Sequence, residues 1–196
     1  MYKCAWCRDG GVNEAYHDAE WGIPLHDDRR HFEYLMMEVM QCGLNWTMML
    51  KKREIFRQCF DGFDFNAIAN YGEADVERIL STEGMIRSPR KVNAVIGNAR
   101  CFIGIIGEFG SFDRYLWAFT DGQTHVYRRH HRGQWEASNA LSDAVSADLK
   151  KRGFKYLGSV TVFSHLQACG MINDHEPDCF LYERLMAMGN VRFIDD

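Results

Sequence analysis

Two pairs of metal-binding side chains lie near opposite ends of this chain. Cys4 and His17 are separated by twelve residues, and His175 and Cys179 by three. Two thiolates and two imidazoles complete the tetrahedral ligand set of a structural Zn²⁺ and leave no position for a water molecule. A metal ion held in this way would join the two ends of the chain and take no part in catalysis.

A further cysteine leaves other interpretations open. Cys7 forms a Cys-x2-Cys pair with Cys4, which would be a thiol-redox motif in a βαβ context, although no such context is visible in the sequence. Cys7 could also compete with a histidine for the metal. Isolated cysteines are most often buried apolar groups, and isolated histidines most often satisfied surface groups. Spacing alone therefore does not decide between a zinc site, a redox pair and ordinary packing.

Aromatic residues and one carboxylate surround the first pair. Trp6, Tyr16, Trp21 and Trp46 all precede residue 50, and Glu38 lies among them. Tryptophan usually serves packing or anchors an interface. Aromatic walls with a single acid also suit a planar cation, which gains stacking, cation–π attraction and the attraction of the carboxylate. The pattern predicts a pocket for a flat ligand but does not distinguish a nucleobase from a small amine.

Hydrophobic periodicity indicates that helices position these groups. Asp27 and Asp28 can cap a helix that begins near residue 29, with Glu38 at the border of its apolar stripe. A second helix is expected from about Trp46 to Phe60. Further helices are predicted near 73–81, 89–106, 139–152 and 159–170, and 120–137, which shows no period, is predicted to be a long loop.

The apolar periodicity of residues 73–106 predicts two helices, which are joined by a tight turn at Gly84. Free backbone N–H groups at the turn and at the start of the second helix can bind an anion such as a DNA phosphate. Arg87, Arg90 and Lys91 would add attraction without reading the base sequence. The segment is therefore a candidate helix–hairpin–helix motif, and the alternative is an ordinary helical hairpin with a basic surface.

The composition limits the class of protein. A chain of 196 residues fits one domain with a substantial core. Its net charge of −4 argues against a protein that coats nucleic acid, but the basic stretches 86–100, 128–132 and 150–155 fit one face that docks on a polyanion. Seven dispersed cysteines and the lack of a signal peptide or membrane-spanning run predict a cytoplasmic protein without a membrane partner.

Several sequence strings resemble the 3-methyladenine DNA glycosylase I family, and they extend over nearly the whole chain. The strings, in order, are Ala15-Tyr16-His17-Asp18, Glu20-Trp21-Gly22, Gly43-Leu44 with Trp46, Lys51-Lys52-Arg53, Gly97-Asn98-Ala99-Arg100, Lys150-Lys151-Arg152-Gly153-Phe154, Gln167-Ala168-Cys169-Gly170 and Asn173-Asp174-His175. An ordered set of this kind is far more specific than any single motif.

The resemblance implies an all-α, helix–hairpin–helix glycosylase fold in a single domain, 1–196. Within it, the helix–hairpin–helix would span about 73–106, and a zinc-binding subdomain would combine 1–25 with 165–185. The family's metal ligands fall on Cys4, His17, His175 and Cys179.

The resemblance also implies an activity. The protein would act as a monomer on alkylated double-stranded DNA and release free 3-methyladenine. Glu38 would contact the base, Tyr16 and Trp46 would stack on it, and Trp6 and Trp21 would form further walls. Because no aspartate base or Schiff-base lysine is evident, a monofunctional hydrolase is expected.

Two departures from the family pattern keep an alternative open. Asn45 stands where the family usually has a serine beside the pocket tryptophan, and the segment 120–137 does not follow the pattern. Both features leave room for a protein that binds damaged DNA through a zinc-stabilised domain without cleaving it. Such a protein would differ from a glycosylase in releasing no base.

Overall fold

Helices make up most of the chain in the computed structural model, which describes residues 1–8, 10–130, 133–134 and 136–195. This part of the chain contains ten α-helices, two short β-strands and three single turns of 3₁₀ helix, at Ala5–Cys7, Asp61–Phe63 and Ala118–Thr120. The helices and strands are α1 (Gly11–Ala19), α2 (Asp28–Gln41), α3 (Trp46–Cys59), α4 (Phe65–Ile68), α5 (Glu73–Ser81), α6 (Pro89–Phe109), α7 (Phe112–Trp117), β1 (Thr124–Tyr127), α8 (Ala140–Lys151), α9 (Ser159–Ala168), α10 (Phe180–Ala187) and β2 (Val191–Ile194).

Helix α2 is the central element of the core. Asp27 caps it as predicted, because its side chain accepts a hydrogen bond of 2.8 Å from the backbone N–H of Arg30. Every residue from 31 to 40 is buried, since α3, α6, α7 and α9 all pack against this helix. Glu38 therefore lies in a helix that is enclosed on all sides, and not at the edge of a half-buried one.

The C-terminal end of α2 is held by a lysine from α6. Lys91 Nζ donates hydrogen bonds of 2.7 Å to the carbonyl of Met40 and 2.8 Å to that of Cys42. A cation stabilises the negative end of a helix dipole and satisfies carbonyl groups that have no partner within the helix. The Lys91 ammonium thus fixes the turn that follows Glu38, and its predicted contact with DNA stays a prediction.

The structure contains the two helices and the glycine turn predicted for residues 73–106. Ser88 caps α6 and Pro89 is its first residue. Gly84 in the turn has φ of 78°, and a Cβ there would lie 2.8 Å from Ile55 Cδ1, so both the backbone angle and the close packing on α3 favour glycine. Lys52 Nζ also donates to the Gly84 carbonyl. Helix α3 therefore fixes the position of the turn.

Helix α6 is also the one described helix that is long and apolar enough to cross a bilayer. Its residues Val92, Val95, Ala99 and Phe102 are fully buried in the core of the protein. The apolar length of this helix is accounted for by packing between α2, α4, α5 and α7.

The prediction of an all-α chain with a loop at 120–137 was wrong in one respect. β1 lies inside that segment and pairs in parallel with β2, with Thr124 opposite Val191 and Tyr127 opposite Ile194. All four residues of β1 are buried, so the strand has no alternation that periodicity could detect. His131, Arg132 and Trp135, also in the predicted loop, lie outside the described residues.

Candidate functional site

A pocket of about 490 Å³ brings together all five residues predicted to bind a planar ligand. Trp6 comes from the first 3₁₀ turn, Tyr16 from α1, Trp21 from the segment after it, Glu38 from α2 and Trp46 from the first turn of α3. Four of the lining residues are aromatic, and the central helix supplies a buried acid. This arrangement suits a flat ligand that carries positive charge or donates hydrogen bonds.

The Glu38 carboxylate is buried without a compensating charge. The residue is 4% exposed, and among the described residues its side chain has no hydrogen-bond or ion-pair partner. Burial alone raises the pKa of Glu38 to about 8, because removal from water disfavours the charged form. A carboxyl group in this state is poised to accept hydrogen bonds from a bound ligand and to ionise next to a cation.

Tyr16 and Trp46 form two walls that meet at an angle. Their ring centroids are 5.6 Å apart and the planes are inclined by 54°, so a planar ligand can lie parallel to only one ring and meets the other obliquely. Tyr16 also contacts Tyr34 and Trp6 edge to face. Burial raises the pKa of Tyr16, which keeps its phenol protonated and able to donate a hydrogen bond.

The two predicted metal-binding pairs meet in the structure. Cys4, His17, His175 and Cys179 form what we term the terminal Cys/His cluster, in which all four residues are buried and the ligand atoms lie within 4.8 Å of one another. Cys4 Sγ is 3.5 Å from His175 Nδ1, and Cys179 Sγ is 3.4 Å from His17 Nε2 and 3.7 Å from His175 Nδ1. Separations of roughly 3.5 Å are those of sulfur and nitrogen ligands around a tetrahedral Zn²⁺ with bonds of about 2.3 and 2.0 Å.

Hydrogen bonds outside the terminal Cys/His cluster orient both imidazoles toward its centre. His17 Nδ1 lies 2.9 Å from an oxygen of Asp18, and His175 Nε2 lies 3.1 Å from the carbonyl oxygen of Trp21. The nitrogen that remains on each ring, Nε2 of His17 and Nδ1 of His175, is the one that faces the sulfur atoms. Carboxylate and carbonyl partners of this kind commonly fix metal-binding histidines. The donor set therefore fits a structural zinc ion.

The terminal Cys/His cluster and the pocket share a wall. Trp6 packs edge to face on His17 at 5.6 Å, and Trp21 packs edge to face on His175 at 4.7 Å. Tyr16 and His17 are neighbours on α1, and one lines the pocket while the other joins the cluster. Three aromatic walls of the pocket therefore contact the cluster or adjoin it in sequence.

Cys7 does not belong to the terminal Cys/His cluster. Its thiol is buried and donates a hydrogen bond of 3.1 Å to the carbonyl oxygen of Cys4, next to the start of the first 3₁₀ turn. The side chain acts as a small buried group with one weak hydrogen bond. Its predicted competition with a histidine for the metal is not favoured by this geometry.

Sequence reasoning missed a polar side of the pocket. Gln41, Gln167 and Asp174 also line it. Gln167 Nε2 donates a hydrogen bond of 2.6 Å to one carboxylate oxygen of Asp174, and His130 Nδ1 lies 2.9 Å from the other oxygen. The hydrogen bond with Asp174 raises the pKa of His130. These residues come from α2, α9 and two loops, so no local pattern links them. The resemblance strings that contain Gln167 and Asp174 were the one available signal.

Asn45 has a structural role at the pocket. Its side chain accepts a hydrogen bond of 3.3 Å from the backbone N–H of Met48 and caps α3, whose first residue is Trp46. Asparagine and serine are about equally good at this position. The residue that departs from the family pattern therefore retains the capping function of a serine.

This role predicts different effects for two substitutions. Asn45→Ala should lower the free energy of unfolding by about 1 kcal/mol, because the cap is lost. Asn45→Ser should change this free energy by only about a few tenths of a kcal/mol. Urea unfolding followed by circular dichroism measures both variants. Equal destabilisation by alanine and serine would show that the amide has another role.

The helical fold and the pocket that combines aromatic walls with the buried Glu38 resemble those of known proteins. Residues 6–182 match the family model described as methyladenine glycosylase, and the chain belongs to this family. It is 40% identical to DNA-3-methyladenine glycosylase 1 of Escherichia coli (strain K12) over 182 residues, which are 93% of this chain and 97% of that protein.

Solved structures give the same result for the fold. A crystal structure of 3-methyladenine DNA glycosylase I aligns with a TM-score of 0.85 and 42% identity, and covers 91% of this chain and 98% of the other. A structure of a variant 3-methyladenine DNA glycosylase I in complex with 3-methyladenine aligns with a TM-score of 0.86 and 32% identity, and covers 92% of this chain and 97% of the other.

Proposed function

We propose that this protein is a base-excision repair glycosylase that hydrolyses the N-glycosidic bond of 3-methyladenine in alkylated DNA. The observation that carries the proposal is the buried and unpartnered Glu38 in an aromatic pocket. Family membership and the names of the relatives supply the substrate class. We also propose a cytoplasmic protein that acts as a monomer.

The chemistry of the damaged base explains why one acid is sufficient. Methylation at N3 makes the adenine cationic, which weakens its bond to the sugar, so the base leaves without protonation by the enzyme. The protein must take the base out of the helical stack, which costs a few kcal/mol, and enclose it. Water then attacks C1′ of the sugar as the bond to the base breaks, the base departs neutral, and the proton lost by the water passes to solvent.

Glu38 provides selectivity through charge. With its pKa near 8, the carboxyl is largely protonated at neutral pH in the empty pocket, and a bound cation stabilises the ionised form. Unmodified adenine lacks the positive charge and gains no such attraction. Discrimination then arises from the difference between the two bases in binding and in the transition state.

The predicted activity can be tested by the release of free bases from methylated duplex DNA, resolved by chromatography. We expect release of 3-methyladenine, and no covalent adduct on treatment with borohydride, because no described residue that lines the pocket is a lysine. A trapped adduct would contradict monofunctional hydrolysis. Tight binding without release would favour the module that recognises damaged DNA and does not cleave it.

We propose that α5, the turn and α6 form a helix–hairpin–helix that binds the DNA backbone. Arg87 and Arg90 are exposed at the turn and at the first turn of α6. The backbone N–H of Gly84 has no hydrogen-bond partner in the described chain, and unpaired N–H groups near a helix start attract phosphate. Lys91 contributes indirectly, because it holds the end of α2.

The hairpin proposal predicts a change in salt dependence. Replacing both Arg87 and Arg90 with glutamine should weaken binding to DNA of any sequence and lower the slope of log K against log salt by about 2. Fluorescence anisotropy over a range of salt concentrations measures the slope. Arg114→Gln is the matched control, since exposed Arg114 follows the far end of α6, roughly 30 Å from the turn. An equal effect of the control would contradict the proposal.

We further propose that the terminal Cys/His cluster holds a structural Zn²⁺. The four donors and their orientation support this proposal. The ion would fix the chain ends and, through Trp6 and Trp21, the wall of the pocket. It supplies no chemistry to the bond that breaks.

A further inference from the structure

A second group of metal-binding side chains lies in the core, where α9 ends against the start of α2. His31, His165 and Cys169, which we term the core His/Cys cluster, are 0%, 1% and 0% exposed. One ligand atom of each lies within 4.8 Å of the other two. His165 and Cys169 are four residues apart at the end of α9, so their side chains point to the same side and face His31.

The imidazoles of the core His/Cys cluster lack hydrogen-bond partners. His31 Nδ1 and both ring nitrogens of His165 are buried and unpaired within the described chain. An unpaired buried polar atom destabilises the folded state, and leucine or phenylalanine would fill the same space without that penalty. Two such rings side by side, 5.7 Å apart, therefore indicate a ligand that pairs with ring nitrogens.

The remaining nitrogen of His31 has the partner that a metal-binding histidine requires. His31 Nε2 lies 3.3 Å from Asp113 Oδ1. The same oxygen lies 3.0 Å from His26 Nδ1. The contact with the carboxylate favours the proton on Nε2, so Nδ1, which has no partner within the described chain, is the nitrogen left to bind a metal ion. Carboxylate, histidine and metal ion recur in this order in zinc sites.

We propose that His31, His165 and Cys169 form a second metal site, which binds Zn²⁺ through two imidazole nitrogens and one thiolate. Imidazole and thiolate are the ligands that this borderline-soft ion prefers. The thiolate of Cys169 and the carboxylate of Asp113 balance its two positive charges. The cluster supplies three donors, so one water molecule would complete the tetrahedral set, and burial of all three side chains favours a structural role.

A metal ion in the core His/Cys cluster would lock α2 against α9. His31 lies seven residues before Glu38 on α2, and Ser164 and Gln167 on α9 line the pocket. The site would thus fix two of the helices that shape the pocket. It is separate in its ligands from the terminal Cys/His cluster, so the two can be emptied independently.

The test is the zinc content of the folded protein, measured by elemental analysis after loading with Zn²⁺ and desalting. Cys169→Ala and His165→Phe should each lose one zinc ion per chain relative to the native protein, whatever the native total. Cys59→Ala is the matched control, because Cys59 is a buried cysteine of α3 outside both clusters, and it should lose none. Unchanged zinc content in Cys169→Ala and His165→Phe would overturn the proposal.

Two measurements cover the case in which a variant folds poorly. Titration of the apoprotein with Co²⁺ should give thiolate-to-metal absorption even in the double variant Cys4→Ser/Cys179→Ser, which has no thiol left in the terminal Cys/His cluster. Absence of this absorption in the double variant would contradict the second site. His165→Phe should unfold at a lower temperature than the native protein in Zn²⁺ and at the same or a higher temperature in chelator, because phenylalanine removes unpaired nitrogens. If His165→Phe were at least as stable as the native protein both in Zn²⁺ and in chelator, the cluster would be ordinary core packing and not a metal site.

Discussion

Glu38→Gln is expected to slow the release of 3-methyladenine by about 10²-fold. The substitution keeps the shape of the side chain but removes the charge, and a hydrogen bond to a charged group contributes about 1.5–3 kcal/mol. Single-turnover release from methylated duplex DNA with enzyme in excess measures the chemical step directly. Release at the native rate would show that Glu38 does not act on the base.

The same substitution should stabilise the protein, which separates lost activity from misfolding. Glu38 ionises near pH 8 when folded and near 4.5 as a free side chain, so the native free energy of unfolding falls as the pH rises from about 4.5 to about 8. Below about pH 4.5 Glu38 is protonated in both the folded and the unfolded state, so it no longer lowers the free energy of unfolding. Glutamine does not titrate, and Glu38→Gln should therefore be more stable than native by a few kcal/mol at pH 9 and by little at pH 4.

Glu33 offers a matched control on the same helix. It is also buried, but its carboxylate is paired with Arg53 at 2.7 Å and Arg57 at 2.9 Å. Glu33→Gln would remove the carboxylate that Arg53 and Arg57 share and leave Arg53 paired with Glu20 alone. The variant should therefore destabilise the fold and retain base release per folded molecule. Urea unfolding at several pH values compares the two variants. A Glu38→Gln protein less stable than native at pH 9 would contradict the environment described for this acid.

The helices could be predicted where a cap and a full period coincide. Asp27 and the pair Ser88-Pro89 mark helix starts by local chemistry, and the apolar residues that follow repeat at helical spacing. α1 was not predicted, because it is short and its buried residues include Asn13 and His17. β1 and β2 were also missed, since each depends on a partner distant in sequence. Local patterns do not contain that information.

The site shows the same division. The aromatic residues and Glu38 could be grouped because few residue types form a pocket for a planar cation. The role of Lys91 could not be predicted, since a basic run usually indicates a solvated surface. Its acceptors are backbone carbonyls at the C-terminal end of α2, which is distant in sequence. No sequence pattern indicated the cluster of His31 and His165, because the two residues are far apart along the chain. Their pairing exists only once α2 and α9 are packed together.

Disruption of the terminal Cys/His cluster is the second large effect that we expect. Cys179→Ser should lose one zinc ion per chain and lower the unfolding temperature by about 10 °C or more, because a structural zinc contributes several kcal/mol and each kcal/mol corresponds to about 2–4 °C in a chain of this size. Elemental analysis and thermal unfolding by circular dichroism measure the two quantities. Cys7→Ser is the matched control, since its sulfur lies outside the donor set, and it should keep the metal.

Loss of this zinc should also impair the pocket before the whole protein unfolds. Trp6 and Trp21 pack on His17 and His175, so a disordered cluster removes two walls while Glu38, on the central helix α2, stays in place. Below the unfolding temperature we therefore expect altered tryptophan fluorescence and weaker binding of free 3-methyladenine in Cys179→Ser. A variant without metal that binds the base as the native protein does would show that the walls do not depend on the cluster. Because the ligands come from both chain ends, the metal would then serve only to join them.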